Sequence, residues 1–416
     1  MLWAAGFRLG LAYTVFCAFQ PLQRLHAHAP FGHWFIALVF AVVSCGLVWF
    51  PKAGLSQEPA EDTAPAQVVP DTLARDSLPP RKKVQFLPLP VLDFGPETSL
   101  LFGLSNITNL NLFEEARTSN ARLEGSYTLN EQWLFDFEVN LFTNQEGWFI
   151  RHFSTYRIFP EQFWGMGGNT PNSNQESYFA RRFELEQIIL RNLWPEQKLF
   201  FGPRYFLQWV GDVQPAEGGI LESQPVTGKQ GGISSGIGYQ VVWDQRSNIL
   251  NPKTGHYLLF GQQFYEPFLG SDFRFAANEL DVRKYWQLFG TQEVILAAQF
   301  RSLLHTGTPP FRLTALFGSS EDMRGYYRGR YRARQYYSTQ AELRFPLFWR
   351  IGGVVFGGGG DIADQWGHFR LPEIKPTYGA GIRFKIDRAN DVNIQADIAF
   401  GERGSSGIYF GFGEAF

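Results

Sequence analysis

Cysteine is nearly absent from this chain of 416 residues: the two that occur, Cys17 and Cys45, both lie near the N-terminal end. Past residue 45 no disulfide can form and no cysteine-based zinc site can be built. Charge is sparse, at 18% of residues, with 37 Lys and Arg against 39 Asp and Glu. A net charge of −2 without a concentrated basic patch gives no case for nucleic acid as a partner. Histidine is scarce, with seven residues, and none stands in a nucleophile or metal-ligand pattern. No catalytic residue, metal or cofactor is therefore expected. A repeat of fixed period is also lacking, which argues against a propeller. The longest apolar run, residues 34–50, is short for a spanning helix.

Aromatics are what the chain has in quantity: 41 Phe, 12 Trp and 16 Tyr, with 43 Gly beside them. Rings in such number suit the aromatic bands of a barrel at the two membrane interfaces. The patterning agrees. From Gln335, Tyr337, Thr339, Ala341, Leu343 and Phe345 share one face and Ser338, Gln340, Glu342 and Arg344 the other. Val392, Ile394, Ala396, Ile398 and Phe400 oppose Asn393, Gln395 and Asp397; Trp133, Phe135, Phe137 and Val139 oppose Asp136, Glu138 and Asn140. A period of two is the strand signature, and charges on its polar face suit a wet lumen. The last residues, Ile408 to Phe416, alternate in the same way and end on an aromatic, the form of a final membrane strand and of an assembly signal.

About sixteen strand candidates fall between Val84 and Phe416, so the fold class read here is all-β, a transmembrane antiparallel barrel. Residues 1–50 read as a secretory signal region, its apolar core at 34–50. Val42-Val-Ser-Cys45 has the form of a lipoprotein box, although the apolar run continues beyond it. Residues 51–83, rich in Pro, Ala, Glu, Asp and Gln, read as a disordered periplasmic linker. Pro88 and Pro90 sit in the first strand, and since proline donates nothing to a ladder that strand is expected at an edge. With Gly411, Gly413 and Phe416 in the last strand, these prolines are expected to form a weakly paired seam.

One long irregular stretch, between the strands at 291–303 and 335–348, holds Arg324, Arg328, Arg330, Arg332 and Arg334 within eleven positions. Upstream, Trp243-Asp-Gln-Arg-Ser-Asn-Ile-Leu-Asn-Pro-Lys-Thr-Gly-His-Tyr257 joins two strands through an Asn-Pro-x-x-Gly turn, and Ala341-Glu-Leu-Arg-Phe-Pro346 follows the arginine loop directly. In this order the motifs resemble the BamA/TamA-type outer-membrane barrels, also called bacterial surface antigen barrels. The resemblance covers roughly residues 84–416, with five strands after the loop. It makes Asp244, Arg246, Asn251, Pro252 and Gly255 the family's hairpin motif, and Met323, Arg324, Gly325 and Tyr326 its loop motif. It implies that the loop folds into the lumen, where Arg324 meets acids on neighbouring strands. Glu342 matches one such acid. The family's next acidic position is Gly358 here, within Phe356-Gly-Gly-Gly-Gly360, and Asp361 is the nearest substitute.

The stretch 51–83 is too short for one of the family's soluble POTRA domains, so the resemblance is to a short, POTRA-less branch. It implies a bacterial outer-membrane protein, in contact with outer-membrane lipid, that assists insertion or translocation of other proteins. Unfolded client proteins or periplasmic accessory proteins are its implied partners. The alternatives are a gated or passive pore lined by Asp136, Glu138, Glu279, Asp281 and Arg383, or a structural barrel.

Overall fold

Alternation along the chain becomes sixteen long strands with apolar residues on one face and polar or charged residues on the other, the pattern of a barrel wall between lipid and a wet lumen. The computed structural model describes residues 84–416 apart from 96–97, 114–115, 291–293 and 388–390. The expected signal region, the lipoprotein box at Cys45 and the linker lie outside the described residues. The strands are β1 (Val84–Gly95), β2 (Ser99–Leu110), β3 (Ser119–Thr128), β4 (Trp133–Phe142), β5 (Trp148–Phe163) and β6 (Glu176–Trp194). Next come β7 (Leu199–Gln214), β8 (Gly232–Asp244), β9 (Gly255–Tyr265), β10 (Phe275–Gln287) and β11 (Ile295–Gly307). Two short strands, β12 (Ala315–Leu316) and β13 (Arg332–Ala333), pair with each other inside the arginine loop. Five strands then complete the sheet: β14 (Gln335–Phe348), β15 (Ile351–Ala363), β16 (Lys375–Asp387), β17 (Val392–Gly401) and β18 (Ser406–Phe412).

The sixteen long strands form one antiparallel sheet in chain order, each laddered to its sequence neighbours. One rim carries short turns such as 143–147, 195–198 and 349–350. The other carries the longer 164–175, 215–231 and 308–334, which places it at the extracellular mouth. Register puts Glu342 opposite Phe356 and Ala297, and Arg383 opposite Gln395, so the polar faces read from sequence all point inward. Phe135, Ile237, Phe300, Val355, Ile382, Ile398 and Phe410 stay exposed on the outer face.

The first strand stands at the edge, as its prolines require: Pro88 lies opposite Asn106 and Pro90 opposite Leu104 of β2. Among the described residues no ladder joins β1 to β18; the rings of Phe94 and Phe410 meet there edge-on, their centroids 6.5 Å apart. The last strand departs from its sequence reading. It ends at Phe412, and Gly413 (φ +84°) turns the chain off the sheet. Phe416 consequently does not face lipid. It is buried with Tyr285, Ala297 and Ala415, on the inner face of β10 and β11.

Candidate functional site: the lumen-docked arginine loop

The loop between β11 and β14 is a packed body of its own. The β12–β13 pair sets its base, and Phe317 meets Tyr326, Tyr331 and Tyr336 edge-on at centroid distances of 5.0, 5.6 and 5.8 Å. Rings in this arrangement add attraction beyond the area they bury. Met323, Gly325 and Tyr326 of the motif are all buried. The Tyr326 hydroxyl donates to the Pro376 carbonyl at 2.7 Å and accepts from the Glu402 backbone N–H at 2.8 Å. Its ring lies against Gly401, where an added Cβ would overlap it. Gly325 donates its N–H to the Tyr409 hydroxyl on β18 at 2.8 Å.

Arg324 is 1% exposed. One guanidinium nitrogen donates to Asp397 Oδ2 at 2.6 Å, the other to Glu342 Oε1, and the plane stacks on the Phe356 ring at 3.5 Å. The contacts continue beyond this pair. Glu342 Oε2 accepts from Arg344 Nε and Nη2 at 2.9 and 2.8 Å, and Arg344 Nε lies 3.6 Å from Glu414 Oε2. Glu414 accepts from Arg383 Nε at 2.7 Å, and Arg383 Nη1 donates to Asp397 Oδ1 at 2.5 Å. Three arginines and three carboxylates thus alternate around a closed ring, with loop, β14, β16, β17 and the segment after β18 each contributing. A buried charge is tolerable only when paired and hydrogen-bonded, and this ring has zero net charge.

Of the acids expected to hold Arg324, Glu342 does so and Asp361 does not. Asp361 is buried, but its carboxylate accepts from Lys375 Nζ at 3.0 Å and from the Ile362 N–H at 2.8 Å. Period two explains the difference: Gly360 lies opposite inward Ser338, so Asp361 lies opposite Tyr337, out of phase with Glu342. Asp397 on β17, two ladders further from the loop, takes the role instead. At Gly358 the close neighbour is the β14 backbone, where an added Cβ would overlap Thr339 O.

The hairpin motif closes the other end. Asp244 accepts from Arg246 Nε and Nη2, both at 2.9 Å, which clamps the turn at its neck, and Arg246 lies over Tyr257 at 4.6 Å. Asn248 Oδ1 accepts from the N–H of Leu250 and of Asn251, and Gly255 takes φ +98°. The turn crosses the periplasmic mouth. Asn251 Nδ2 donates to Asp391 O at 3.3 Å, Lys253 Nζ reaches the Asp391 carboxylate at 2.7 Å, and Pro252 O accepts from Arg344 at 3.5 Å. Partial burial raises the Asp391 pKa, but hydrogen bonds from Lys253 and Lys385 outweigh it and hold the carboxyl below its ordinary value.

The lumen wall away from the loop carries a second chain of charges: Glu124, Arg122, Glu138, Arg151, Glu186, Arg204, Glu279 and Arg301. Successive members are 2.6 to 3.3 Å apart. Glu138 and Glu279 belong to it, Asp136 lies 3.8 Å from Arg157, and Asp281 accepts from Arg283 at 2.6 Å. The expected lining charges are therefore present and compensated in place.

Residues 172–416 match the Omp85 superfamily domain. The chain belongs to the Omp85 superfamily. It is an outer-membrane β-barrel, and two solved structures share its fold. BamA from Haemophilus ducreyi, lacking POTRA domains 1–3, aligns with a TM-score of 0.57 and 11% identity, over 80% of this chain and 70% of that one. CdiB from Acinetobacter baumannii aligns with a TM-score of 0.54 and 9% identity, over 80% of this chain and 60% of that one. No curated protein matches the sequence.

Proposed function

We propose that this Omp85 barrel assists insertion or translocation of other polypeptides at the outer membrane, with the junction of β1 and β18 as the place where a client strand adds. The observation that carries this is the junction itself. Among the described residues twelve-residue β1 is laddered to β2 and not to β18, and β18 has seven residues and leaves the sheet at Gly413. An unpaired strand edge is a template for another strand. Beside the Phe94–Phe410 contact lies a cleft of about 270 Å³, lined by Phe94, Ile398, Phe400, Ser406, Gly407 and Ile408, where apolar client side chains would sit. Clients are unfolded outer-membrane proteins, with periplasmic accessory proteins to deliver them.

The test is reconstitution. Proteoliposomes carrying the protein should speed folding of a urea-unfolded barrel protein over empty liposomes, and Pro88→Ala with Pro90→Ala, which restores two ladder donors to β1, should slow it. No acceleration, with the proline variant indistinguishable from the parent, overturns the proposal. A gated pore is the second reading, favoured by the partly exposed ion-pair chain on the lumen wall. A conductance raised by Arg324→Ala would select it, and a steady large conductance unchanged by that substitution would select a passive pore.

A further inference from the structure

The segment 413–416 is held more firmly than a strand end needs to be. Gly413 N–H donates to Asn393 O at 2.8 Å and Glu414 N–H to Leu250 O at 2.9 Å, the latter at the tip of the Asn-Pro hairpin. The Glu414 carboxylate takes Arg383 Nε at 2.7 Å and Asn393 Nδ2 at 2.8 Å. Arg344 donates to Phe416 O at 2.9 Å and stands 5.5 Å from its ring. Phe412 is 70% exposed and Phe416 is 3% exposed, so the chain passes from lipid to lumen in four residues.

The two arginines that grip this segment, Arg344 and Arg383, are the same two that complete the coordination of Glu342 and Asp397 around Arg324. We propose that residues 413–416 form an inward latch on β18, that Glu414 is a positioning residue coupling the arginine loop to the β1–β18 junction, and that the Asn-Pro hairpin is the latch's keeper. Withdrawing Glu414 leaves Arg344 and Arg383 in surplus of positive charge. Withdrawing Arg324 leaves Glu342 and Asp397 to draw those arginines from Glu414. Each end therefore senses the other, and the coupling is reciprocal by linkage. The hairpin reaches the latch from β8 and β9, half the sheet away, and braces the β18 side of the junction. This inference rests on the junction of the preceding reading, but its test does not require insertase activity.

The experiment uses the full chain with Cys17→Ser and Cys45→Ser, and p-benzoylphenylalanine in place of Phe94. Photo-crosslinks from that residue to the β18 peptide are counted by mass spectrometry. Glu414→Gln should cut the yield about tenfold, because a neutral amide loses the charge that strengthens its bond from Arg383 and its pairing with Arg344. The further pair Leu250→Cys and Gly413→Cys puts the two Cβ atoms 3.6 Å apart, within disulfide reach; because the substitution at Gly413 is strained at φ +84° and brings its Cβ to 2.9 Å from Leu250 O, the reduced form of the pair is the reference for each comparison. Oxidised, that pair should restore the crosslink in the Glu414→Gln background, and reduction should remove it again. An unchanged yield in Glu414→Gln, or no restoration on oxidation, overturns the latch. Should Glu414→Gln fail to give a heat-modifiable barrel, the cysteine pair with Glu414 intact decides. Its crosslink should then survive warming that abolishes the reduced form's, and equal loss in both refutes the proposal. A crosslink that behaves as expected in a protein that does not accelerate client folding leaves the latch standing and removes the insertase reading.

Discussion

Replacing Arg324 by alanine removes the one member of the six-charge ring that the loop supplies. Glu342 retains Arg344 at 2.8 Å and Asp397 retains Arg383 at 2.5 Å, so neither carboxylate is orphaned. The remaining five charges sum to −1, and the stacking on Phe356 disappears as well. Breaking a buried pair costs about 3 to 5 kcal/mol, and with both acids still partnered the lower end applies, about 3 kcal/mol. Since about 1.4 kcal/mol is a factor of ten, the undocked loop population should rise by about two decades. Trypsin reads that population at the bonds after Arg330 and Arg332, both buried in the docked loop, when opening is fast relative to cleavage. Arg324→Lys should fare nearly as badly, because a single ammonium cannot span Asp397 and Glu342 as a guanidinium fork does. Pairing Arg324→Ala with Glu342→Gln restores ring neutrality and should recover about 1 to 2 kcal/mol of the summed single costs. A cleavage rate raised less than about fivefold by Arg324→Ala, or strict additivity in the double variant, refutes the ring as the loop's anchor.

Gly401→Ala drives a methyl into the Tyr326 ring and should expel it, with protease sensitivity of the loop close to that of Arg324→Ala while the heat-modifiable barrel persists. Arg330→Ala removes the donors to Thr170 O, Thr170 Oγ1 and Asn172 Oδ1 and should loosen loop 164–175, read as faster hydrogen exchange there with the lumen ring unaffected. Asp391 is depressed below its ordinary value by Lys253 and Lys385, so its contribution is present above the unfolded pKa near about 4 and is lost as pH falls through the lower folded value. Exchange in hairpin 245–254, corrected for its intrinsic rate, should hold steady from neutral pH and rise only below about 4; Asp391→Asn should raise it at neutral pH. Glu186→Gln breaks the lumen chain between Arg151 and Arg204 and should shift residual conductance toward anions in single-channel recording.

The all-β class, the inward and outward faces and the edge position of β1 were legible because each follows from period two or from proline's missing N–H, properties that neighbours along the chain settle among themselves. The inward facing of Glu342 was legible on the same ground, while its place beside Arg324 followed from the family resemblance. Asp397, Arg344 and Arg383 were visible as inward charges, yet nothing in their spacing said that they meet at one height, since that depends on the stagger accumulated over the strands between. Asp361 misled because nearness in sequence to the glycine run stood in for facing, and one residue of phase turns a side chain to the opposite wall. The inward turn at Gly413 is the sharpest such case. The alternation from Ile408 to Phe412 is real, and it favours continuing the strand to Phe416. Only the folded barrel supplies what reverses it: Arg344 and Arg383 waiting for a carboxylate, and a hairpin from β8 and β9 that crosses the mouth to receive the Glu414 N–H. The sequence alone thus determined which way each strand residue faces, because that is local geometry. The tertiary structure decided which inward charges become partners, because partnership depends on distances that close only when the sheet curls.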